Sequence, residues 1–433
     1  MRILHYTLGF PPQRSGGLVG YAIDLMKEQE SQGHDVIALY PGDLNFFKKK
    51  TYIKKNNNQI VDSYQIINSL PLAIFNGIGN PCDFMTPCSK RLFINFFKEN
   101  KTEVVHVHTL MGIHKEFFHA ANELRIPIIY SSHDYYGLAP DPNFFFKGNS
   151  YDDTNTVNDW IYASSHALNT NKLRLFQLKT YPLIRKILLI LKKTKIEKNF
   201  NFSFLPSHQK KQIGTESYEN LRNYYQDIFS SVNKFHFNSN LAKDVFINNL
   251  KKKPSYDVLT ISNSKIINRT ITKLKQKKTR VAYIGPDKDF KGYNDFVELS
   301  KRMKFNGKFE FHSYGHTPNS EISGIIQHGK YSKRQMDTVF QNIDILVVPS
   351  KWKETFGLVV LEAISFNTSV LVSSNVGAKD ILSPKYTFKN IEELQELLEK
   401  KEFHNQKLYV KKMDTHCKEI ICLYQSAVER GRD

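Results

Sequence analysis

Two doubly wound α/β domains facing across a cleft are predicted by three observations. The chain has 433 residues, more than one hydrophobic core usually serves. Short apolar runs typical of buried strands alternate with helical patterns in both halves. The alternation pauses at Lys251-Lys-Lys-Pro254 and restarts with a fresh strand at Val281. The predicted units are residues 1–250, residues 251–410, and a terminal helix at 411–433 expected to pack back on the first domain.

In order, Arg2 to Thr7 reads as a buried strand, followed by Gly9-Phe-Pro-Pro-Gln-Arg-Ser-Gly-Gly17 and a helix through Tyr21, Leu25 and Met26. Gly16 and Gly17 would let backbone approach a ligand closely, although ordinary strand-to-helix turns also use glycine. Asp35 to Leu39 is the second strand, and Lys48 to Asn58 reads as a solvated polar loop. Val104-Val-His-Val-His108 alternates with both histidines on one side, which suits hydrogen-bonded core imidazoles. Ile128 to Ser132 is a strand ending in His133-Asp134, and strand carboxyl ends are where open α/β sheets place ligand groups. His133 is therefore read as functional.

Residues 141–230 are the least regular part. Within them, Leu178 to Lys198 carries seven Lys/Arg and one Glu. Leu183, Ile184, Ile187, Leu188, Ile190 and Leu191 would share one helical face, with Arg185, Lys186, Lys192 and Lys193 largely opposite. Such a basic amphipathic helix suits an anionic membrane surface. It equally suits docking on its own domain with a solvated basic face. The net charge of +19 favours the membrane.

Ser231 to Phe237 reads as the last strand of the first half. The second half then runs Val281 to Gly285, a helix through Phe296 and Leu299, Phe309 to Tyr314, a helix near Met336 and Phe340, Ile345 to Ser350, and Ser369 to Ser373. A long polar helix is expected from about Phe403. Gly285 permits the first turn of this half, and Lys291 can point an ammonium into the cleft. Asp287-x-Asp289 has the form of a metal motif but shares its loop with Lys288 and Lys291, so no metal site is predicted there.

The stretch Glu354-Thr-Phe-Gly-Leu-Val-Val-Leu-Glu362 follows the strand ending at Ser350 and runs into a helix, Val359 to Phe366. Free amides at Thr355, Phe356, Gly357 and Leu358 would face an anion in front of the helix. Eight helical positions span about 12 Å, too far for two carboxylates to act on one bond. They suit the two ends of a long ligand with a charged middle, such as a nucleotide-sugar. A helix with one exposed and one capping glutamate fits the pattern equally well.

The positive balance calls for an acidic partner: nucleotide, nucleic acid or anionic lipid. The Lys residues are spread among loops and one helix without an aromatic-interleaved groove, so nucleic acid is not expected. Cys82, Cys88, Cys417 and Cys422 lack zinc-type spacing and read as free thiols of a cytosolic protein. The first residues enter a strand directly, with no signal peptide expected, and no apolar run is long enough to span a bilayer.

These pieces together resemble the GT-B-fold retaining glycosyltransferases of family 4, the glycosyltransferase group 1. The matching residues are Pro11-Pro12 with Gly16-Gly17, Val104-Val-His-Val-His108, His133-Asp134, Gly285 with Lys291-Gly292, His328-Gly329, Val348-Pro-Ser350, and Glu354 to Glu362, which fits the family's E-x7-E motif. They occur in the family's order and cover most of the chain except 141–230. The resemblance implies that Gly16, Gly17 and Gly285 lie near the donor diphosphate and that His133 bonds the transferred sugar. It implies that Lys291 neutralises the diphosphate, that Glu354 and the amides of Thr355 to Leu358 meet sugar and phosphate, and that Glu362 holds ribose hydroxyls. Backbone at Lys330 and Tyr331 would meet the base. The family uses no metal or other cofactor, so fixed positive charge and helix dipoles would stabilise the leaving group. Two residues depart from the pattern: Pro286 stands where the family often has Arg, and Gly377-Ala-Lys-Asp380 replaces a Gly-Gly-x-x-Glu.

What the resemblance implies is transfer, with retention, of a hexose from a nucleotide donor, by default a uridine diphosphate sugar, to a hydroxyl acceptor. The basic helix suggests a lipid-linked oligosaccharide in surface polysaccharide synthesis, on the cytoplasmic membrane face. The alternative is a catalytically silent member serving as a scaffold subunit of a polysaccharide assembly complex, for which Pro286 is the best support.

Overall fold

The computed structural model describes residues 1–430 except 57–59, 75, 181–213, 267–272, 274–275 and 401–409. The core of the predicted basic helix, from 181 onward, lies outside the described residues.

The first half contains β1 Arg2–Tyr6, β2 Asp35–Pro41, β3 Tyr52–Asn56, β4 Asp62–Ile67, β5 Val104–Val107, β6 Ile128–Ser131, a small hairpin of β7 Phe145–Phe146 and β8 Asn149–Ser150, then β9 Lys234–Phe237 and β10 Tyr256–Val258. Apart from the hairpin these form one sheet in the order β10-β9-β6-β5-β1-β2-β4-β3. Every pairing in it is parallel except β3 with β4. The last strand of this sheet thus comes from beyond residue 250. Successive side chains of a strand point to opposite faces, and β1 shows it: Leu4 and Tyr6 enter one core, Ile3 another.

The second half contains β11 Thr279–Ile284, β12 Phe309–Tyr314, β13 Ile326–Gln327, β14 Ile345–Val348, β15 Ser369–Ser373 and β16 Thr387–Phe388. They form a parallel sheet in the order β13-β12-β11-β14-β15-β16. That is a doubly wound order, reversing between β11 and β14, and ligands bind beyond the strand carboxyl ends at such a reversal. Gly292 sits there with φ +74, and a Cβ on it would lie 1.7 Å from the Pro349 carbonyl oxygen. Only glycine lets the loops after β11 and β14 come this close.

The last helix, Met413–Arg430, buries Cys417, Ile420, Tyr424 and Ala427, a spacing of three and four that makes one apolar stripe. Its core includes Ile3, Val104 and Ile129 of the first sheet and Ala282, Leu346 and Val370 of the second. One apolar cluster therefore ties both halves to this helix.

Two local expectations are corrected. The segment 48–58 is not all loop, because Tyr52–Asn56 pairs antiparallel with β4. Its two central lysines, Lys54 and Lys55, are exposed, the usual protection of an edge strand. The terminal helix is amphipathic rather than polar, its exposed side chains masking the buried stripe.

Candidate active site

The loops after β11 and β14 meet the carboxyl ends of β1, β6 and β9 at a cleft of about 340 Å³. Its lining includes Gly17, His133, Gly285, Lys291, Glu354, Thr355, Phe356, Gly357 and Leu358, drawn from both halves. Gly16, Lys330, Tyr331 and Glu362 are not part of that lining. Gly16 precedes the helix Gly17–Ser31 as its N-cap, and Lys330 is exposed. Glu362 lies inside the helix Leu358–Ser365, beside Tyr331, whose hydroxyl pKa is raised by burial and by that carboxylate.

Glu354 is held at both carboxylate oxygens. Lys291 Nζ lies 2.7 Å from Oε1, and Ser350 Oγ donates to Oε2 at 2.7 Å. The backbone is fixed as well, since Glu354 N donates to Asn375 O at 2.7 Å and Gly377 N donates to Glu354 O at 2.9 Å. Gly357, at φ +100, caps the following helix without a side-chain hydrogen bond of its own. The first residues of that helix, Leu358 and Val359, line the cleft, and a helix N-terminus favours negative charge.

The two halves are joined at this point. Thr355 Oγ1 donates to the His133 carbonyl at 3.1 Å, and Ser239 Oγ donates to the Thr355 carbonyl at 2.6 Å. Asp380 Oδ2 accepts from Asn240 N at 2.5 Å, so the departure at 377–380 still delivers a carboxylate to a helix N-terminus across the halves. A Cβ on Gly17 would meet Leu358 Cδ1 at 3.4 Å, placing the two helix starts face to face.

Lys291 is the one cation among the described lining residues. Its Nζ also lies 5.1 Å from the Trp352 ring centroid, in cation–π range. Pro286 lines the cleft and brings no charge, its carbonyl accepting from Tyr283 OH at 2.6 Å. Neighbouring cations are engaged: Lys351 pairs with Asp289 and Asp295 at 2.8 and 2.9 Å, and Lys353 with Asp152 and Asp153 at 2.5 and 3.2 Å. Lys288 is exposed.

His133 stands opposite. Burial and nearby His416 hold its pKa down at about 3, so the ring is neutral. It packs on Tyr21 with centroids 4.6 Å apart. Asp134, its neighbour, is turned inward and accepts from Thr109 Oγ1 and Tyr136 N. Burial pushes its pKa up to about 7 against those two hydrogen bonds.

Sequence reasoning missed Ser350 as the anchor of Glu354, Trp352 as the lid over Lys291, and Asn238 and Tyr283 in the lining. Trp352 carried a signal, being one of 2 tryptophans and lying just after a strand end. The others read as ordinary.

Among the described residues, two clusters have donor types that could hold a metal: His5 with His106 and His108, and Cys88 with His114 and Glu116. In the first, all six ring nitrogens already have hydrogen-bond partners, so a cation would have to break them. In the second, burial and Glu116 push the Cys88 thiol up to about 12, which disfavours the thiolate a soft metal needs. Neither cluster is in the cleft lining.

Solved structures with this architecture define the class. An α,α-trehalose 6-phosphate synthase from Burkholderia multivorans superposes with TM-score 0.57 at 10% identity, covering 100% of this chain and 97% of that one. A glycosyltransferase from Rickettsia africae does so with TM-score 0.56 at 12% identity, covering 99% and 98%. A trehalose-6-phosphate structure from E. coli bound with UDP-2-fluoro glucose gives 0.54 at 10%, covering 100% and 97%. The fold is GT-B, two Rossmann-like domains.

Within that class, residues 264–410 match the model of the glycosyl transferases group 1, and residues 15–171 that of glycosyltransferase family 4. The chain belongs to the group 1, family 4 glycosyltransferases. An uncharacterized 42.6 kDa protein in the cps region of Klebsiella pneumoniae is 23% identical over 301 residues, 67% of this chain and 62% of that protein. An uncharacterized 41.2 kDa protein of the same region is 22% identical over 190 residues, 41% and 52% of the two lengths. The matches thus span less than two thirds of these curated relatives.

Proposed function

We propose that the protein is a glycosyltransferase that moves a sugar from a nucleotide-sugar to a hydroxyl acceptor with retention of anomeric configuration. The observation that carries this is the convergence, in one inter-domain cleft, of the Lys291–Glu354 pair, the amides opening the helix Leu358–Ser365, and the neutral His133. A diphosphate would sit before those amides and share Lys291 with Glu354. The transferred sugar would lie between Glu354 and His133. Glu362, deeper in the same helix and beside Tyr331, would take ribose hydroxyls, with Lys330 and Tyr331 at the base. Gly16, Gly17 and Gly285 would keep the rim free of side chains.

Among the described residues, this lining offers no second carboxylate to attack the anomeric carbon. The reading is therefore that leaving and attacking oxygens share one face of the sugar, and the departing phosphate takes the acceptor's proton. Protein groups then act by positioning and by stabilising charge. No metal is assigned to this step. The donor is read as a uridine diphosphate sugar, in keeping with the E. coli neighbour bound with UDP-2-fluoro glucose. A lipid-linked glycan acceptor in surface polysaccharide synthesis fits the relatives in a cps region. Cytoplasmic, peripheral association with an anionic membrane through the basic segment 178–198 belongs to the same reading; no helix among the described residues is long and apolar enough to cross a membrane.

Pro286 favours the second reading, a silent scaffold subunit, because no other cation in the described lining takes the place of the missing guanidinium. A nucleotide-sugar screen by thermal shift, followed by donor turnover with Glu354→Ala, His133→Ala and Glu362→Ala, separates them. The transferase reading expects a stabilising donor, slow turnover in the first two variants and weak donor binding in the third. Donor binding with no turnover under any acceptor would establish the scaffold. Full activity in all three variants would remove the site assignment.

A further inference from the structure

Behind His133 a continuous file of buried polar groups crosses the first sheet and reaches the last helix. His133 Nε2 lies 3.2 Å from His108 Nδ1, and His108 Nε2 lies 2.9 Å from His5 Nδ1. His5 Nε2 is 2.7 Å from Gln29 Oε1, and Gln29 Nε2 is 3.1 Å from Tyr424 OH. Tyr424 OH is 2.6 Å from His106 Nδ1, and His106 Nε2 is 2.6 Å from Ser131 Oγ. Ser131 Oγ is 2.7 Å from His236 Nδ1, and His236 Nε2 ends the file 2.7 Å from the Leu259 carbonyl oxygen. The sheet register makes it possible, since His5 pairs with His106 on neighbouring strands and Ser131 with His236.

The far end has only one solution. A carbonyl oxygen accepts and cannot donate, so His236 Nε2 carries the proton and His236 Nδ1 does not. Ser131 must then give its single hydrogen to His236, and takes one from His106 Nε2. His106 Nδ1 is left bare and accepts from Tyr424 OH. The phenol has no hydrogen left for Gln29, so Gln29 turns its NH2 to Tyr424 and its carbonyl to His5. His5 Nε2 therefore carries a proton, His5 Nδ1 accepts from His108 Nε2, and His108 Nδ1 accepts from His133 Nε2. Each step follows from the one before, provided every ring is neutral. Burial supports that: His5 is held down at about 4, and His106, His108 and His236 well below their ordinary value.

We infer that this file sets the tautomer of His133, protonated at Nε2 and bare at Nδ1, so that the ring offers the cleft a hydrogen-bond acceptor, with Gln29 and Tyr424 as positioning residues. His133 Nδ1 has no hydrogen-bond partner among the described residues, and it is not among the buried orphan atoms. In the transferase reading, on which only the kinetic part of this inference rests, that lone pair takes a hydroxyl hydrogen of the transferred sugar. The last helix thus acts on the cleft through bonds and not only through packing.

Long-range proton–nitrogen correlation spectra of the full chain, labelled with 15N-histidine and assigned with His133→Gln, test this. The expected wild-type result is a protonated Nε2 and an unprotonated Nδ1 at His133 near neutral pH. Tyr424→Phe removes both the acceptor for Gln29 and the donor to His106, freeing Gln29 to flip. The expected result is a His133 signal drawn toward the other tautomer, with turnover down about tenfold and little change in donor KM. Gln29→Leu should do the same. A wild-type His133 protonated at Nδ1 overturns the inference, and so does an unchanged His133 signal in folded Tyr424→Phe. The spectra are read on free protein, so a failed transferase assay with the expected nitrogen pattern would sink the activity reading alone. Should both variants fail to fold, the wild-type spectrum still decides.

Discussion

Lys291 Nζ and Glu354 Oε1 lie 2.7 Å apart, joining the turn after β11 to the loop after β14 across the point where the strand order reverses. Their side chains are 25% and 13% exposed, so the pair is partly shielded from water. Removing Lys291 leaves the carboxylate with Ser350 alone and strips the described lining of its cation. Lys291→Ala should lower kcat/KM for the donor at least a hundredfold, since one electrostatic stabiliser of a developing anion is worth about 2.7–4 kcal/mol. Steady-state donor consumption measures it, and a loss under threefold would show that the diphosphate charge is met elsewhere.

Gly292 is irreplaceable for a backbone reason. Alanine there would pay for a left-handed conformation, about 1–3 kcal/mol, and its Cβ would overlap the Pro349 carbonyl oxygen 1.7 Å away. Gly292→Ala should lower the melting temperature and, by parting the two loops, weaken donor binding. A melting temperature equal to wild type would mean that the loops can separate freely.

The interlocking hydroxyls offer a milder probe. Ser239 Oγ caps its helix by accepting from Ala242 N at 3.0 Å and donates across the halves to the Thr355 carbonyl at 2.6 Å. Ser239→Ala loses both, and an N-cap alone is worth about 1 kcal/mol. Chemical denaturation should show a loss of at least that size, while Thr355→Val, which removes only the bond to the His133 carbonyl, should cost less in stability but slow turnover. Equal effects of the two on stability would contradict this ordering.

The buried imidazoles predict an acid-side weakness. His5 and His133 are ordinarily protonated below about 6.5 but in the fold only below about 4 and about 3. Above pH 6.5 folded and unfolded rings are both neutral and nothing is lost. Between 6.5 and about 4 the unfolded chain binds protons that the fold refuses, so stability falls with pH and levels off below the folded values. Asp134, raised to about 7, works in the opposite sense, but it stands against His5, His106, His108, His133 and His236, which are all depressed. Melting temperatures from pH 8 to 4.5 should decline from about 6.5 downward. A flat profile to pH 5 would show that these rings are not held neutral.

How far the fold and site were readable depends on the range of the interactions. The strands β12 and β15 were legible to the residue: β15 has the continuous apolar centre Val370-Leu-Val372 of a buried parallel strand, and β12 alternates Phe309 and Phe311 with Glu310 and His312. The edge strand β3 was not, since Lys54 and Lys55 look like loop and its pairing partner, β4, comes later in the chain. The amphipathic character of the last helix was likewise hidden until its partners, Ile3 and Val104 from the start of the chain, were known.

At the cleft, the sequence by itself singled out Glu354, Lys291 and His133 by type, by position at strand ends and by spacing, and all three line one cleft. Only the tertiary structure decided what each is bonded to. Glu354 and Lys291 are 63 positions apart in the chain, and no local pattern says that they pair. Trp352, Ser350 and Asn238 enter the site through loop geometry. His106 and His108, which sequence reasoning set aside as core, stand with His5 in a file of hydrogen-bonded groups behind His133. A hydrogen bond needs about 3 Å and the right orientation, and those are properties of folded strands lying side by side, invisible along a single chain.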